Sequence, residues 1–418
     1  MINTVDDVES VDALPPLWKN WRFQIFWSGA AASMLGLKIA SLAYPLLILA
    51  MTGSPATAGA FSALQVSAML LFAMYGGAVA DRADRRLVLM GALGCQALAS
   101  ASVPVAWAFH ALTVFQLMVV AVLMGIGTAF GGPVRMLALR ALVPPEQLSQ
   151  ALVQEEVRSN GGSLLGPPLA GVLFTLGRVV PILATAVGCL VAVCSVFVVR
   201  SDIPARRQEG PDSKRSDGSF LDGLRVLWSR VLLRAVLGLF TMLSLVASAL
   251  LLVVVVLLRN HGASSSVIGL VLGAEAVGGL LGALLTRRLH RAMGPGKLLL
   301  SYAWLSVILL PALVVPAGPV WIGALLAVMA VGGPAVNVML DLLIFRQVPD
   351  EVKGRVIAAT ITLIGIGAPL GSLLAGLLLQ FANPATAVCV LSLLLLVPVV
   401  VMTADQDVRS AVWPADQN

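Results

Sequence analysis

Between residues 23 and 403 the chain alternates long apolar runs with short segments that hold charge, proline or glycine, and that alternation constrains its fold more than any other feature. A helix needs about 20 mostly apolar residues to cross roughly 30 Å of hydrocarbon. Twelve such runs are read, at 23–51, 56–80, 87–108, 114–139, 149–176, 180–199, 233–258, 266–286, 297–316, 319–344, 355–380 and 385–403. They are too long for the strands of a membrane barrel and lack the alternating polarity of such strands, so each is expected to be a helix. Composition agrees, at 59% hydrophobic and 11% charged residues, whereas water-soluble domains carry about 25% charged residues. The expectation is an all-α integral membrane protein with twelve transmembrane helices.

Cationic loops stay on the cytosolic side of a membrane, so the Lys and Arg distribution sets orientation. With the N-terminus inside, 23 of the 27 Lys and Arg residues fall in the cytosolic segments. Arg178 and Arg259 fall outside, and Lys38 and Arg158 lie within spans. Both termini are therefore expected in the cytosol. The opening MINTVDDVESVDALPPLWKN is acidic with no apolar core, which makes it a short tail rather than a signal peptide. Residues 200–232 are rich in Pro, Gly, Ser and charge and read as a cytosolic linker. The expected organisation is a tail at 1–22, a six-helix bundle at 23–199, the linker, a second six-helix bundle at 233–403 and a tail at 404–418. The basic residues form no dense patch interleaved with aromatics, which argues against nucleic acid as a partner. Cys95, Cys189, Cys194 and Cys389 have no metal-ligand spacing, and neither a metal nor another cofactor is expected.

The two halves carry the same landmarks. GAVADRADRR from Gly77 is answered 205 residues later by GALLTRRLHR from Gly282, and Val143-Pro144 by Val348-Pro349 at the same offset. Gly166 and Gly171 return as Gly371 and Gly376, again 205 apart, while the Gly-Gly-Pro ending at Pro133 returns at Pro334 after 201. Tandem six-span halves imply a pseudo-two-fold axis along the membrane normal, with a cavity between the halves near the midplane.

On these grounds the chain resembles the major facilitator superfamily of transporters over nearly its whole length. The superfamily's loop signature, G-x-x-x-D-R-x-G-R-R or a near variant, stands here as Gly77, Asp81, Arg82, Arg85 and Arg86, with Asp84 in place of a glycine. Gly77 is expected to let its span approach a neighbour closely, and Asp81 to sit against a helix N-terminus. The resemblance implies that Asp81 meets the start of the span at 355–380, near Arg355, when the protein faces outward. Arg85 and Arg86 serve plain charge topology equally well. Gly162, Gly166, Pro167 and Gly171 resemble the antiporter signature G-x-x-x-G-P-x-x-G-G of drug-type exporters, with Ala170 at one glycine position. Small residues four apart pack helices backbone to backbone, and Pro167 and Pro168 bend them.

Ionisable side chains inside a bilayer are costly and tend to be functional. Glu275 lies deep in its span, and a carboxyl group there can load and release a proton as its surroundings change; a hydrogen-bonded link between spans is the alternative. Glu155 and Asp341 are further proton-coupling candidates, although Glu155 and Arg158 at i, i+3 read first as a structural pair and Asp341 as a rim residue. Lys38 lies near the midplane, where it either neutralises an anionic substrate, holds a carboxylate or stays uncharged. The resemblance implies that the first, fourth, seventh and tenth spans line the cavity, with Lys38, Tyr44, Phe240 and Asn337 as inward candidates. A mostly apolar lining suits an amphipathic compound better than a sugar.

The expected activity is secondary active export of a small amphipathic compound, such as a drug, antibiotic or secondary metabolite, by proton antiport with alternating access. The expected setting is a bacterial-type inner membrane, with small-molecule substrate, protons and lipid as partners and a monomer as the working unit. The alternative on the same fold is uptake of a metabolite. An intramembrane enzyme is the remote alternative, since no nucleophile has an orienting base, and no G-x-x-x-x-G-K-[ST] supports ATP use.

Overall fold

The computed structural model describes residues 17–199, 225, 227–228, 231–347 and 350–409, and every regular element among them is helical. The long helices are α1 (Trp21–Thr52), α2 (Pro55–Arg82), α3 (Arg85–Ala108), α4 (Val114–Leu142), α5 (Leu148–Leu176), α6 (Val180–Val198), α7 (Val231–Asn260), α8 (Ser265–Ala292), α9 (Pro295–Ala312), α10 (Pro319–Val331), α11 (Gly333–Gln347), α12 (Asp350–Phe381) and α13 (Pro384–Ala404). The short α14 (Gln406–Arg409) follows. Helices α10 and α11 are parted only at Gly332 and form one candidate span, Pro319–Ile344. The break falls where Pro334 removes a backbone donor from the ladder.

Eleven helical segments among the described residues are long and apolar enough to cross a membrane. The expected span at 149–176 is absent from these eleven, although α5 is 29 residues long. Its first half carries Gln154, Glu155, Glu156, Arg158 and Asn160, and the Gly-Pro segment that follows dilutes the rest.

Short polar residues set the helix starts. The side chains of Ser54, Thr113, Ser264 and Asn383 accept hydrogen bonds from the first-turn amides of α2, α4, α8 and α13, with Pro55 and Pro384 at the first helical position. Gly53 closes α1 at φ +67°, the left-handed region open to glycine at low cost. Asp84, the departure from the loop signature, has a local role of its own. Its carboxylate accepts from the Arg86 amide at 2.9 Å and so caps α3.

Helices α1 to α6 pack among themselves, chiefly α1 on α6 and α5, α2 on α4, and α3 on α4 and α6. The later helices do likewise, through α7 on α12 and α13, α8 on α10, and α9 on α13. The halves meet along two seams, α2 with α12 and α5 with α8. Both seams are tightest at the end of the bundle that holds the turns around Gly53, Gly177 and Gly262, hereafter the turn end; the other end, with the Arg-rich connections, is the basic end. At the α2–α12 seam a Cβ on Gly59 would run into the Ser372 carbonyl and the Gly376 backbone. Ser54 Oγ there donates to Gln380 Oε1 at 2.8 Å.

Candidate functional site

The repeat read from the sequence appears as matched packing. Gly166 of α5 lies against the backbone of Lys38 on α1, and Gly371 of α12 lies against Leu245 on α7. Gly171 lies against Ser265 and Ser266 at the start of α8, and Gly376 lies against Pro55, Ala56 and Gly59 at the start of α2. Each pair of glycines 205 residues apart thus serves one inner helix of its own half and one helix of the other half.

At the α5 seam this arrangement builds the central site. A Cβ on Gly166 would stand 2.5 Å from the Lys38 Cβ and 3.1 Å from its carbonyl carbon, so only hydrogen there lets α1 and α5 close. On the neighbouring face of α5, Gly269 of α8 abuts the Pro167 carbonyl and Gly273 abuts the Pro168 ring. Glu275 follows two residues after Gly273. The Gly-Pro segment of α5 therefore fixes both the backbone that carries Lys38, in the first half, and the stretch of α8 that carries Glu275, in the second.

Lys38 and Glu275 sense each other's charge across this seam without forming an ion pair. Glu275 is accessible from a cavity of about 80 Å³ that it lines with Tyr302, Ser306, Leu243 and Met329. Sequence reasoning missed Tyr302 and Ser306. The available signal was the second Gly-Gly-Pro, because Gly332 accommodates the Tyr302 ring.

A second charged group lies on α4 and α5. Glu155 pairs with Arg158 as the i, i+3 spacing predicts, and Arg135 approaches the same carboxylate oxygen at 3.7 Å. Arg135 and Arg140 are both inside α4. The Arg158 side chain is 2% exposed, and its Nε and Nη1 have no hydrogen-bond partner. Removing one member of a buried pair leaves an uncompensated charge, which costs about 3–5 kcal/mol. Glu155→Gln is accordingly expected to lower the thermal midpoint of the purified protein sharply, whereas Glu155→Gln/Arg158→Met recovers most of the loss. A double variant no more stable than the single one would rule out the pairing as the reason.

Other expected residues stand elsewhere. Tyr44 is 1% exposed and stacks on Phe61 with ring centroids 4.7 Å apart. Phe240 likewise belongs to the packed core rather than a cavity lining. Asn337 and Asp341 are exposed on α11. In the loop signature Gly76, not Gly77, makes the close approach: a Cβ on Gly76 would meet the Ala129 carbonyl oxygen at 2.5 Å, while one on Gly77 meets nothing within 4 Å. Gly76→Ala is expected to destabilise by about 1–3 kcal/mol through overpacking and Gly77→Ala to leave the unfolding midpoint unchanged; equal midpoints in detergent would refute the distinction. Arg86 lies over the Phe197 ring at 5.5 Å, which ties α3 to α6. The side chains of Asp81 and Arg82, and with them the expected contact near Arg355, lie outside the described residues.

Comparison with known proteins follows this geometry. Residues 11–412 match the family model described as transmembrane secretion effector. The chain is 27% identical over 369 residues to the multidrug efflux pump Tap of Mycolicibacterium fortuitum, covering 86% of this chain and 89% of that protein. It is 26% identical over 349 residues to the enterobactin exporter EntS of Salmonella typhimurium, covering 81% and 82%. Among solved structures, a bacterial homologue of the iron transporter ferroportin in an inward-facing state superposes with a TM-score of 0.72 at 17% identity, over 92% of this chain and 98% of that one.

Proposed function

The chain belongs to the transmembrane secretion effector family of the major facilitator superfamily, and from that premise we propose that it exports small amphipathic compounds from the cytosol by antiport with protons. The observation that carries the reading is the α5 junction, where one Gly-Pro segment positions Lys38 on one half and Glu275 on the other. A switch between two arrangements of the halves needs groups that both halves can sense, and these two are ionisable residues of opposite sign. Relatives named as multidrug and enterobactin exporters support export over uptake.

In this reading α5 is the twelfth span, made affordable in the bilayer because Glu155 pairs with the buried Arg158 and lies beside Arg135. The halves are 23–199 and 233–403, the basic end is cytosolic and both termini lie there. Tight seams at the turn end, and open space beside Gly77 at the basic end, support an inward-open state of the plasma-membrane protein. Glu275 is the proton carrier and Lys38 its counter-charge, while Glu155 is structural and Asp341 a rim residue. The loop residues Asp81, Arg82, Arg85 and Arg86 close the basic end in the outward-open state. A single chain contains both halves, so a monomer suffices.

The test is uptake by everted membrane vesicles of a panel of amphipathic dyes, with the proton gradient imposed or collapsed. Gradient-dependent accumulation of at least one dye above control vesicles is expected. Accumulation that is indifferent to the gradient would remove proton antiport, and dye uptake by intact cells instead of everted vesicles would reverse the direction.

A further inference from the structure

The two Gly-Gly-Pro repeats hold unlike contents. In the second half a Cβ on Gly332 would fall on the Tyr302 ring, and the Tyr302 hydroxyl lies 3.8 Å from the Cβ position of Gly333. In the first half a Cβ on Gly131 would meet only the Ala92 methyl, at 3.7 Å, and one on Gly132 would meet nothing within 4 Å. Where the second half seats an aromatic ring of its own, the first half keeps a cavity of about 210 Å³ lined by α1, α3, α4 and α6. An apolar cavity of about 150 Å³ is enough to take benzene.

The uncharged polar groups of this cavity, Gln96, Ser33 and Ser195, are short of donors. Gln96 is 2% exposed, and its Nε2 donates to the Met124 carbonyl at 3.2 Å and to Thr128 Oγ1 at 3.1 Å. Those two bonds fix the amide, and its oxygen accepts none from the described residues. Ser33 and Ser195 spend their protons on the carbonyls of Ala30 and Ala192, which leaves their oxygens as acceptors. Arg135 stands only at the cavity edge, where its Nε lies 3.7 Å from Glu155 Oε1. Apolar walls with spare acceptors select a ligand that is flat, apolar and a donor.

We propose that this cavity binds one aromatic ring carrying a hydroxyl or amino donor, seated against Gly131 and Gly132 as the Tyr302 ring is seated against Gly332, with Gln96 Oε1 accepting the donor hydrogen. The site lies inside the first half and is separate from the Lys38 and Glu275 seam, and its occupancy does not depend on the direction or energy source of transport.

The experiment is equilibrium dialysis of radiolabelled 2-naphthol and 2-methoxynaphthalene against the full-length protein in lipid nanodiscs, with empty nanodiscs subtracted for bilayer partition. Saturable binding of one 2-naphthol per chain is expected, at least tenfold tighter than 2-methoxynaphthalene, which has no donor. Gly132→Leu fills the cavity and should weaken both ligands tenfold or more, with Gly132→Ala as the milder variant should the larger side chain prevent folding. Gln96→Met removes the acceptor and should abolish the preference for 2-naphthol. Absence of saturable binding, or binding indifferent to the Gly132 and Gln96 substitutions, overturns the proposal. Loss of binding in Glu275→Gln with retention in Gly132→Leu also overturns it, by moving the ligand to the central seam.

Discussion

Cells expressing Glu275→Gln are expected to accumulate an exported amphipathic dye to the level of cells without the protein, a loss of at least tenfold in net exclusion. Glutamine keeps the size of the side chain and its hydrogen-bonding capacity, so the packing of α8 on α5 at Gly269 and Gly273 is preserved. What is lost is a group that changes charge. In the proposed mechanism ionised Glu275 attracts Lys38 across the seam, protonated Glu275 does not, and the two halves are then free to take the other arrangement. A ligand or proton shifts such an equilibrium only by its differential interaction with the two states, and the Glu275–Lys38 attraction is such a difference. The variant should remain folded, because the apolar surroundings of Leu243 and Met329 are untouched. Dye-induced proton release from detergent-solubilised protein should disappear with it. Retained exclusion that a protonophore still collapses would place coupling at another residue and leave Glu275 a link between helices.

The parts of this site that could be read in the sequence are those in which a residue type has few reasons to occur. Gly166, Gly171, Gly371 and Gly376, recurring at one offset, and Pro167 and Pro168 inside an apolar run carry an energetic cost, and each marks a helix contact or a seam. Faces of helices were not legible in the same way. In a run such as α1 nearly every side chain is apolar, because lipid and protein neighbours demand the same chemistry, so no polar stripe distinguishes the cavity side from the core. Tyr44 and Phe240 were placed on the cavity side from the span order that the resemblance implies, and both are buried here. Adjacent glycines fail similarly: Gly76 and Gly77 differ by about 100° around the helix axis, and only the neighbour at Ala129 decides which of them is indispensable. Arg135 was missed as a partner of Glu155 because the two sit on different helices, and no spacing rule joins residues across a loop.

Gly171→Val is expected to abolish export while leaving the chain folded, because it acts on the seam rather than within either half. The added side chain would be driven into the Ser265 carbonyl and toward the Ser266 Cα at 3.0 Å, both backbone atoms that cannot rotate aside. Helix α8 cannot yield by itself, since Gly269 already touches the Pro167 carbonyl one turn away. The remaining way to relieve the overlap is to part α5 from α8, which opens the turn end. Overpacking of this kind costs about 1–3 kcal/mol, enough to move a two-state equilibrium about tenfold or more toward the parted arrangement. The pseudo-symmetric seam reports on the change. Ser372 of α12 is 2% exposed, and its carbonyl lies against Gly59. In a background without the four native cysteines, Ser372→Cys should be shielded from a membrane-impermeant maleimide and become reactive at least tenfold faster when Gly171→Val is added. Gly376→Val, the counterpart 205 residues on, should stop export by parting α2 from α12. Gly161→Val has open space around its Cβ position in this arrangement, and it should leave labelling of Ser372→Cys unchanged. Wild-type export by Gly171→Val, with Ser372→Cys still shielded, would show that the seam tolerates the added volume and that the halves do not work against each other there.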